Sequence, residues 1–225
     1  MPDARAEVLA RIRRSLADRS ATRPAMPAPY VRLAPETDLV ALFVERCRAM
    51  QATVDVCAND GEARAALAAI AGGGRVERAR FSDRARAFGA PAETSRADDH
   101  AGHVGKAGRD ALAAAEVGIT VADYGIADTG TLVVLPSADE GRLASLLPPR
   151  HVAVVRASTL RADLWALIGE IDRDARLRDH SAMIFITGPS RTADIELTLT
   201  IGVHGPTAVH VIVLDDRDAP AGAGS

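Results

Sequence analysis

The chain has 225 residues, 48% of them apolar, with a formal net charge of -3 and 3% aromatic side chains. That length supports one sizeable core, or one domain with a helical appendage. The mild negative charge and the scarcity of stacking rings argue against nucleic acid or an anionic membrane as partner.

The N-terminal "MPDARAEVLARIRRSLADR" reads as a helix over residues 1–19, with Val8, Ile12 and Leu16 in one narrow stripe. Arg11, Arg13, Arg14 and Arg19 surround the stripe. A solvated basic face on a docking helix explains this, and a nucleic-acid or partner arm is the alternative. The segment lacks the apolar stretch of a signal peptide, and Asp3, Glu7 and Asp18 are unlike a transit peptide. No apolar run reaches bilayer-spanning length. A cytoplasmic protein with no membrane contact is therefore expected. Residues 20–35 hold four prolines and read as an extended linker. The main domain is expected over 36–215, with 216–225 as a frayed tail.

Within that domain the pattern alternates. Residues 36–50 and 60–71 read as helices, the second stopped by "GGG". Thr53–Cys57 and Val76–Phe81 read as strands. Residues 82–107 read as a long loop, and 108–116 as a short helix. Gly118–Ala122, Thr131–Leu135 and Val152–Val155 are strand-like runs. Ser158 is placed to cap a helix bearing Leu160, Leu164, Leu167, Ile168 and Ile171. Ala182–Ile186 reads as a continuous apolar strand, Thr192–Thr200 as a helix and Val209–Leu214 as a strand. This order predicts an α/β fold with a layered, mostly parallel sheet and an N-terminal helix.

Two segments stand out chemically. "GPSRT", Gly188 to Thr192, is placed after a strand and at the start of the expected helix, where backbone N–H groups favour an anion. Gly188 permits close approach, Ser190 and Thr192 offer hydroxyls, and Arg191 offers a fork for carboxylate or phosphate. Asp194 and Glu196 are placed to cap the same helix themselves, which leaves a self-capped corner as the competing reading. His204 precedes the next strand, either as a structural donor or as a general acid/base.

"DYGIADTGTLVV" is the second segment. Asp128, Thr129, Gly130 and Thr131 form a tight turn between apolar runs, which needs no ligand to explain it. The functional alternative sets the Asp128 carboxylate and Thr129 hydroxyl, or the N–H groups near Gly130, against a substrate, with Asp123 as a weaker partner. Two further features are minor. His100 and His103 beside Asp98 and Asp99 are a weak metal pattern lacking further ligands, so no metal is expected. Arg150 and His151 precede a strand and read as structural or rim residues. Cys47 and Cys57 form neither a CxxC pair nor an iron–sulfur or zinc pattern, so they are expected to be buried, reduced thiols.

"GIADTGTLVVLPSADEGRLASLLPPRHVAVV" followed by "FITGPSRTADIELTLTIGVHGPTAVHVIVLDD" resembles the LUD-domain family, on its lactate-utilisation branch. The paired motifs, in this order and spacing, carry the resemblance. It implies a fold similar to the ribose-phosphate isomerase and CoA-transferase group. It also implies a role in oxidising L-lactate to pyruvate beside two partner proteins that carry the iron–sulfur clusters. On that reading this chain has no cofactor of its own. Family members often have Glu at the position of Asp128, so the carboxylate here has a shorter reach.

Two functions follow. The first is a subunit of a lactate-oxidising system that binds a small carboxylate or phosphate, or a partner surface, around Gly188–Asp194. The second is a free-standing enzyme like a CoA transferase or sugar-phosphate isomerase. There Asp128 or Glu196 is nucleophile or base, with His204 assisting. Self-association is left open.

Overall fold

The computed structural model describes residues 4–17, 33–34, 36–70, 79–81, 85, 88, 110, 113–136, 142–170, 173, 182–193, 199–201 and 204–217. The chain divides into two compact units, Met1–Arg32 and Leu33–Ser225. The first holds helix α1, Ala4–Ala17. Glu7 in its first turn and Arg14 in its last both complement the helix dipole. Val8, Leu9 and Ile12 are exposed along it.

The second unit begins with α2, Leu39–Ala49. Asp38 caps it by accepting from the Val40 and Ala41 N–H groups. Val40, Phe43, Val44 and Cys47, spaced three and four apart, form its buried face. Strand β1 is Thr53–Cys57 and α3 is Asp60–Ile70. Asn59 and Glu62 cap α3 reciprocally: Asn59 accepts from the Glu62 N–H, and Glu62 accepts from the Ala58 N–H. Strand β2 is Ala79–Phe81 and β3 is Val117–Val121.

After β3 come β4, Tyr124–Ile126, and β5, Thr131–Val134. A 3-10 turn at Arg142–Ser145 precedes β6, Arg150–Arg156. A second 3-10 turn, Ala157–Thr159, leads into β7, Leu160–Arg161, and helix α4, Leu164–Ile168. Then follow β8, Ile184–Ile186; β9, Arg191–Ala193; β10, Leu199–Ile201; and β11, Ala208–Leu214.

Five strands form one parallel sheet in the order β1-β11-β6-β3-β2. The chain opens at one edge, crosses to the other, and fills the sheet inward. The excursions between β3 and β6, and between β6 and β11, build a second sheet in the order β7-β4-β5-β8. In it β4, β5 and β8 are antiparallel, and β7 runs parallel to β4.

Alternation along the parallel strands divides the core. Val152 and Val154 pack with Ile212, Leu214 and α3 residues Ala63 and Leu67. Ala153 and Val155 face the other way, with Val211, Val213, α2 and Leu132 and Val134 of β5. The opposite face of the second sheet, Tyr124, Ile126 and Val133, packs under Leu167 of α4. The mixed α/β character expected from the sequence is therefore present, built around a five-stranded parallel sheet.

Three local expectations differ from the structure. Ser158 does not cap a long helix; its hydroxyl donates to Asp216, and Leu160 is drawn into β7 by pairing with Gly125. The helix is the short α4, capped by Asp163, which accepts from the Ala166 N–H. Apolar β8 joins the second sheet, antiparallel to β5, rather than the parallel sheet. The expected helix Thr192–Thr200 is replaced by β9 and β10, which pair antiparallel. Alternating β-branched residues in "LTLTI" suit a strand better than a helix.

The proline linker 20–32, the "GGG" stop, most of the 82–107 loop including His100 and His103, and the tail after Arg217 lie outside the described residues. Among the described residues no helix is long and apolar enough to cross a membrane. Nor, among them, do three or more His, Cys, Asp or Glu side chains group as a metal site.

Candidate functional site

The two segments singled out from the sequence meet at the C-terminal end of α2. Residues Ala127–Gly130 turn the chain from β4 into β5. Gly130 has φ +65°, and a Cβ there would lie 2.5 Å from the Cys47 nitrogen. Gly188, after β8, has φ +90°, and its Cβ would lie 2.6 Å from the Met50 oxygen. At both positions backbone meets backbone, so only glycine lets the loops rest on the helix. Cys47 donates from Sγ to the Gly130 carbonyl at 3.4 Å. Burial pushes its thiol up to about 12, so it serves as a donor and not as a nucleophile.

Pairing of β5 with β8 sets Leu132 opposite Ile186, which brings Thr131 beside Thr187. The Thr129 and Thr131 hydroxyls lie 2.8 Å apart, and Thr131 and Thr187 also 2.8 Å apart. Thr131 is buried, while Thr129 and Thr187 at the two ends are exposed. A chain of three hydroxyls with two links presents polar capacity at both ends to an incoming group.

Asp128 sits beside this chain, half-buried. Its Oδ1 is enclosed without a hydrogen-bond partner. Burial first, and then the charge of Asp163, hold its carboxyl above the ordinary value; hydrogen bonds to Thr129 and the charge of Arg46 pull against them. The Asp128 N–H donates to the Ala162 carbonyl at 3.1 Å, which fixes this turn next to the Asp163 cap. Arg46, on α2, is half-exposed, and its ion pair is a long 3.7 Å contact with neighbouring Glu45. The corner thus holds a half-buried carboxyl whose titration burial raises, a guanidinium in a long contact, and a hydroxyl chain.

The "GPSRT" segment is not a helix N-terminus, so the dipole argument for an anion there does not hold. Arg191 begins β9, and its Nη2 donates to the Met50 carbonyl at 2.5 Å. It satisfies a C-terminal carbonyl of α2, leaving its other donors for a ligand. The Ser190 N–H donates to the Pro206 carbonyl at 2.9 Å, and a Cβ on Gly205 would lie 3.3 Å from the Ser190 Cβ. The His204–Pro206 loop therefore lies against Ser190, with His204 itself exposed.

The structure thus brings Asp128, Thr129 and Gly130 together with Gly188, and Ser190 with the His204 loop. Thr192 lies within β9. Asp194 and Glu196 lie outside the described residues. Sequence reasoning placed Thr131 in the turn without giving it a role, and missed Arg46, Met50, Asp163 and Thr187. Thr187 was in reach, since it directly follows the "IFI" strand; Arg46, Met50 and Asp163 come from remote elements and leave no local pattern.

Two buried polar residues belong to the scaffold. Asp123 accepts from the Leu135 N–H at 2.8 Å and ties β4 to the residue after β5. His151 is wholly buried in β6, not on a rim. Its Nε2 lies 2.8 Å from the Thr120 hydroxyl, and its Nδ1 has no partner. Burial lowers it to about 4, so the ring is neutral at physiological pH.

Known proteins place this architecture. The LUD domain model matches residues 40–214. Lactate utilization protein C of Anoxybacillus flavithermus is 34% identical over 188 residues, covering 81% of this chain and 83% of the relative. The proteins of the same name from Halalkalibacterium halodurans and Shouchella clausii are each 42% identical, over 105 and 106 residues. Those two alignments span about half the length of each relative, 46% and 45%. A crystal structure of a DUF162 family protein from Deinococcus radiodurans shares the fold, with a TM-score of 0.53 and 21% identity over 78% of this chain and 96% of that one. From Val40 in α2 to Leu214 at the end of β11 the sequence matches one domain type, and the chain belongs to the LUD-domain family.

Proposed function

We propose that this protein is a subunit of an L-lactate utilisation system and that it binds a small carboxylate at the α2 corner. The observation that carries the reading is the meeting of Asp128–Thr131 with Thr187–Arg191 on one helix end. Arg46 and the free donors of Arg191 take the carboxylate. The exposed Thr129 and Thr187 ends of the hydroxyl chain take the ligand's hydroxyl, with the half-buried Asp128 carboxyl beside them. The relatives named lactate utilization protein C support the system. The electron carriers on this reading are partner proteins with iron–sulfur clusters; in this chain Cys47 donates to the Gly130 carbonyl, and Cys47 and Cys57 pack in separate core clusters. Calorimetric titration of the isolated chain with L-lactate, phosphate and coenzyme A tests the site. L-Lactate binding that weakens at least about tenfold in Arg46→Ala is expected. No heat with lactate, or equal binding in the variant, removes the carboxylate site.

The raised, half-buried Asp128 carboxyl favours a second reading, an enzyme acting alone by proton transfer or acyl transfer, as in CoA transferases or sugar-phosphate isomerases. Turnover by the isolated chain, abolished in Asp128→Asn, supports it. Unchanged turnover in that variant excludes Asp128 from the chemistry.

A further inference from the structure

We propose that, given the ligand site described above, Asp163 is a positioning residue for the α2 corner, acting through the neighbouring Asp128 carboxyl to set the acid limit of ligand binding. The pairing of β4 with β7 brings the two together. These strands run parallel, with Gly125 opposite Leu160 and Ile126 opposite Arg161. The ladder continues past both strand ends: the Ala127 N–H donates to the Arg161 carbonyl and the Asp128 N–H to the Ala162 carbonyl. The same register carries Asp128 alongside Asp163. Two acids opposite one another are an arrangement that sheets ordinarily avoid, because like charges there are destabilising.

Capping accounts for only part of Asp163. Its Oδ1 accepts from the Ala166 N–H at 2.7 Å and starts α4. Asn or Ser would cap as well, and a five-residue helix has little dipole for a charge to complement. The cap leaves unexplained a negative charge beside a second carboxyl, both of them half-buried. Among the described residues neither carboxyl is in an ion pair. The charged groups around them are engaged elsewhere. Arg161 of β7 bonds Glu170 at 2.7 Å and lies over the Tyr124 ring. Arg46 of α2 contacts Glu45, and Arg191 of β9 is held on the Met50 carbonyl. On the side of β5 and β8 stand the uncharged hydroxyls of Thr131 and Thr187. Arg46 favours the ionised Asp128, while burial and the charge of Asp163 oppose it.

With the ligand's carboxylate on Arg46 and Arg191, its hydroxyl is the end that meets Asp128. An ionised carboxylate accepts a hydroxyl in a charge-assisted hydrogen bond, roughly twice as strong as a neutral one. Protonation of Asp128 forfeits that difference. A ligand that prefers the ionised form binds fully above the ligand-free titration point of Asp128. Its affinity falls as pH drops through that point and levels off at the lower, ligand-bound one. The like charge of Asp163 moves this acid limit to higher pH, so that the corner releases its ligand in milder acid.

The test compares the full chain with Asp163→Asn, which keeps the cap and removes the charge. In the ligand-free chain the Asp128 carboxyl is titrated by carbon-13 NMR, its resonance being the one lost in Asp128→Asn. The midpoint should move to lower pH in Asp163→Asn. A midpoint that stays or rises overturns the proposal, whatever lactate does. L-Lactate is then titrated calorimetrically into both chains just below the parent's midpoint, where its own ionisation is common to the two. The variant should bind about two- to fivefold tighter there. A residue that only holds α4 in place would give equal or weaker binding, and that result sinks the proposal. No lactate heat in either chain at any pH removes the carboxylate site, and the acid limit with it, even where the midpoint moves. If Asp163→Asn misfolds, Asp163→Ser, which also caps, decides.

Discussion

At the scale of single residues, the buried polar groups set the pH behaviour. The His151 ring ordinarily titrates near 6.5 and is lowered to about 4 in the fold. Between these values the unfolded chain takes up a proton that the folded chain refuses. Stability is therefore full above 6.5, falls as pH drops toward 4, and levels below it. At about 1.4 kcal/mol per pH unit, the loss is on the order of 3 kcal/mol. Denaturant unfolding at neutral and mildly acid pH measures it, and His151→Gln should flatten that part of the curve. Asp128 acts in the other direction. Its carboxyl is raised, so ionising it as pH rises through its folded value costs stability. Asp128→Asn should melt no lower than the parent at neutral pH while losing lactate binding. A large drop in melting temperature would mean that Asp128 holds the turn together and is not kept for a ligand.

At the scale of elements, the C-terminal end of α2 is the organising feature. It receives Gly130, Gly188 and Arg191 from three different loops or strands. Gly188→Ala should be costly because it combines a positive φ with a Cβ 2.6 Å from backbone oxygen. A loss of about 2–4 kcal/mol, read by thermal melting, is expected from strain and displacement together. The Asp128 turn was legible in sequence because apolar runs flank a short polar stretch containing Gly130. The β9–β10 pair was not. "RTADIELTLT" places acids where a helix start would have them, and that outweighed the period-two alternation of "LTLTI". A run of three apolar residues, as in β8, likewise fits a parallel or an antiparallel strand equally well. Only its partner, β5, decides which sheet it enters.

At the scale of the whole molecule, the parallel sheet was readable from its central strands. Val152–Val155 and Val211–Leu214 are apolar on both faces, and each is covered on both faces. The second sheet was hidden because it is assembled from excursions far apart in sequence. Its pairing makes a site from Asp128 and Thr187, fifty-nine positions apart, on a helix that precedes both. The family resemblance was legible for the same reason, since the paired motifs are the two sides of that junction.

The proposed role in lactate oxidation rests on ligand binding at the α2 corner. The direct measurement is lactate-dependent reduction of an electron acceptor by purified iron–sulfur partner proteins, with and without this chain. Adding the chain is expected to raise the rate at least about tenfold, and the Arg46→Ala variant to restore little of it. Equal rates with and without the chain would contradict it.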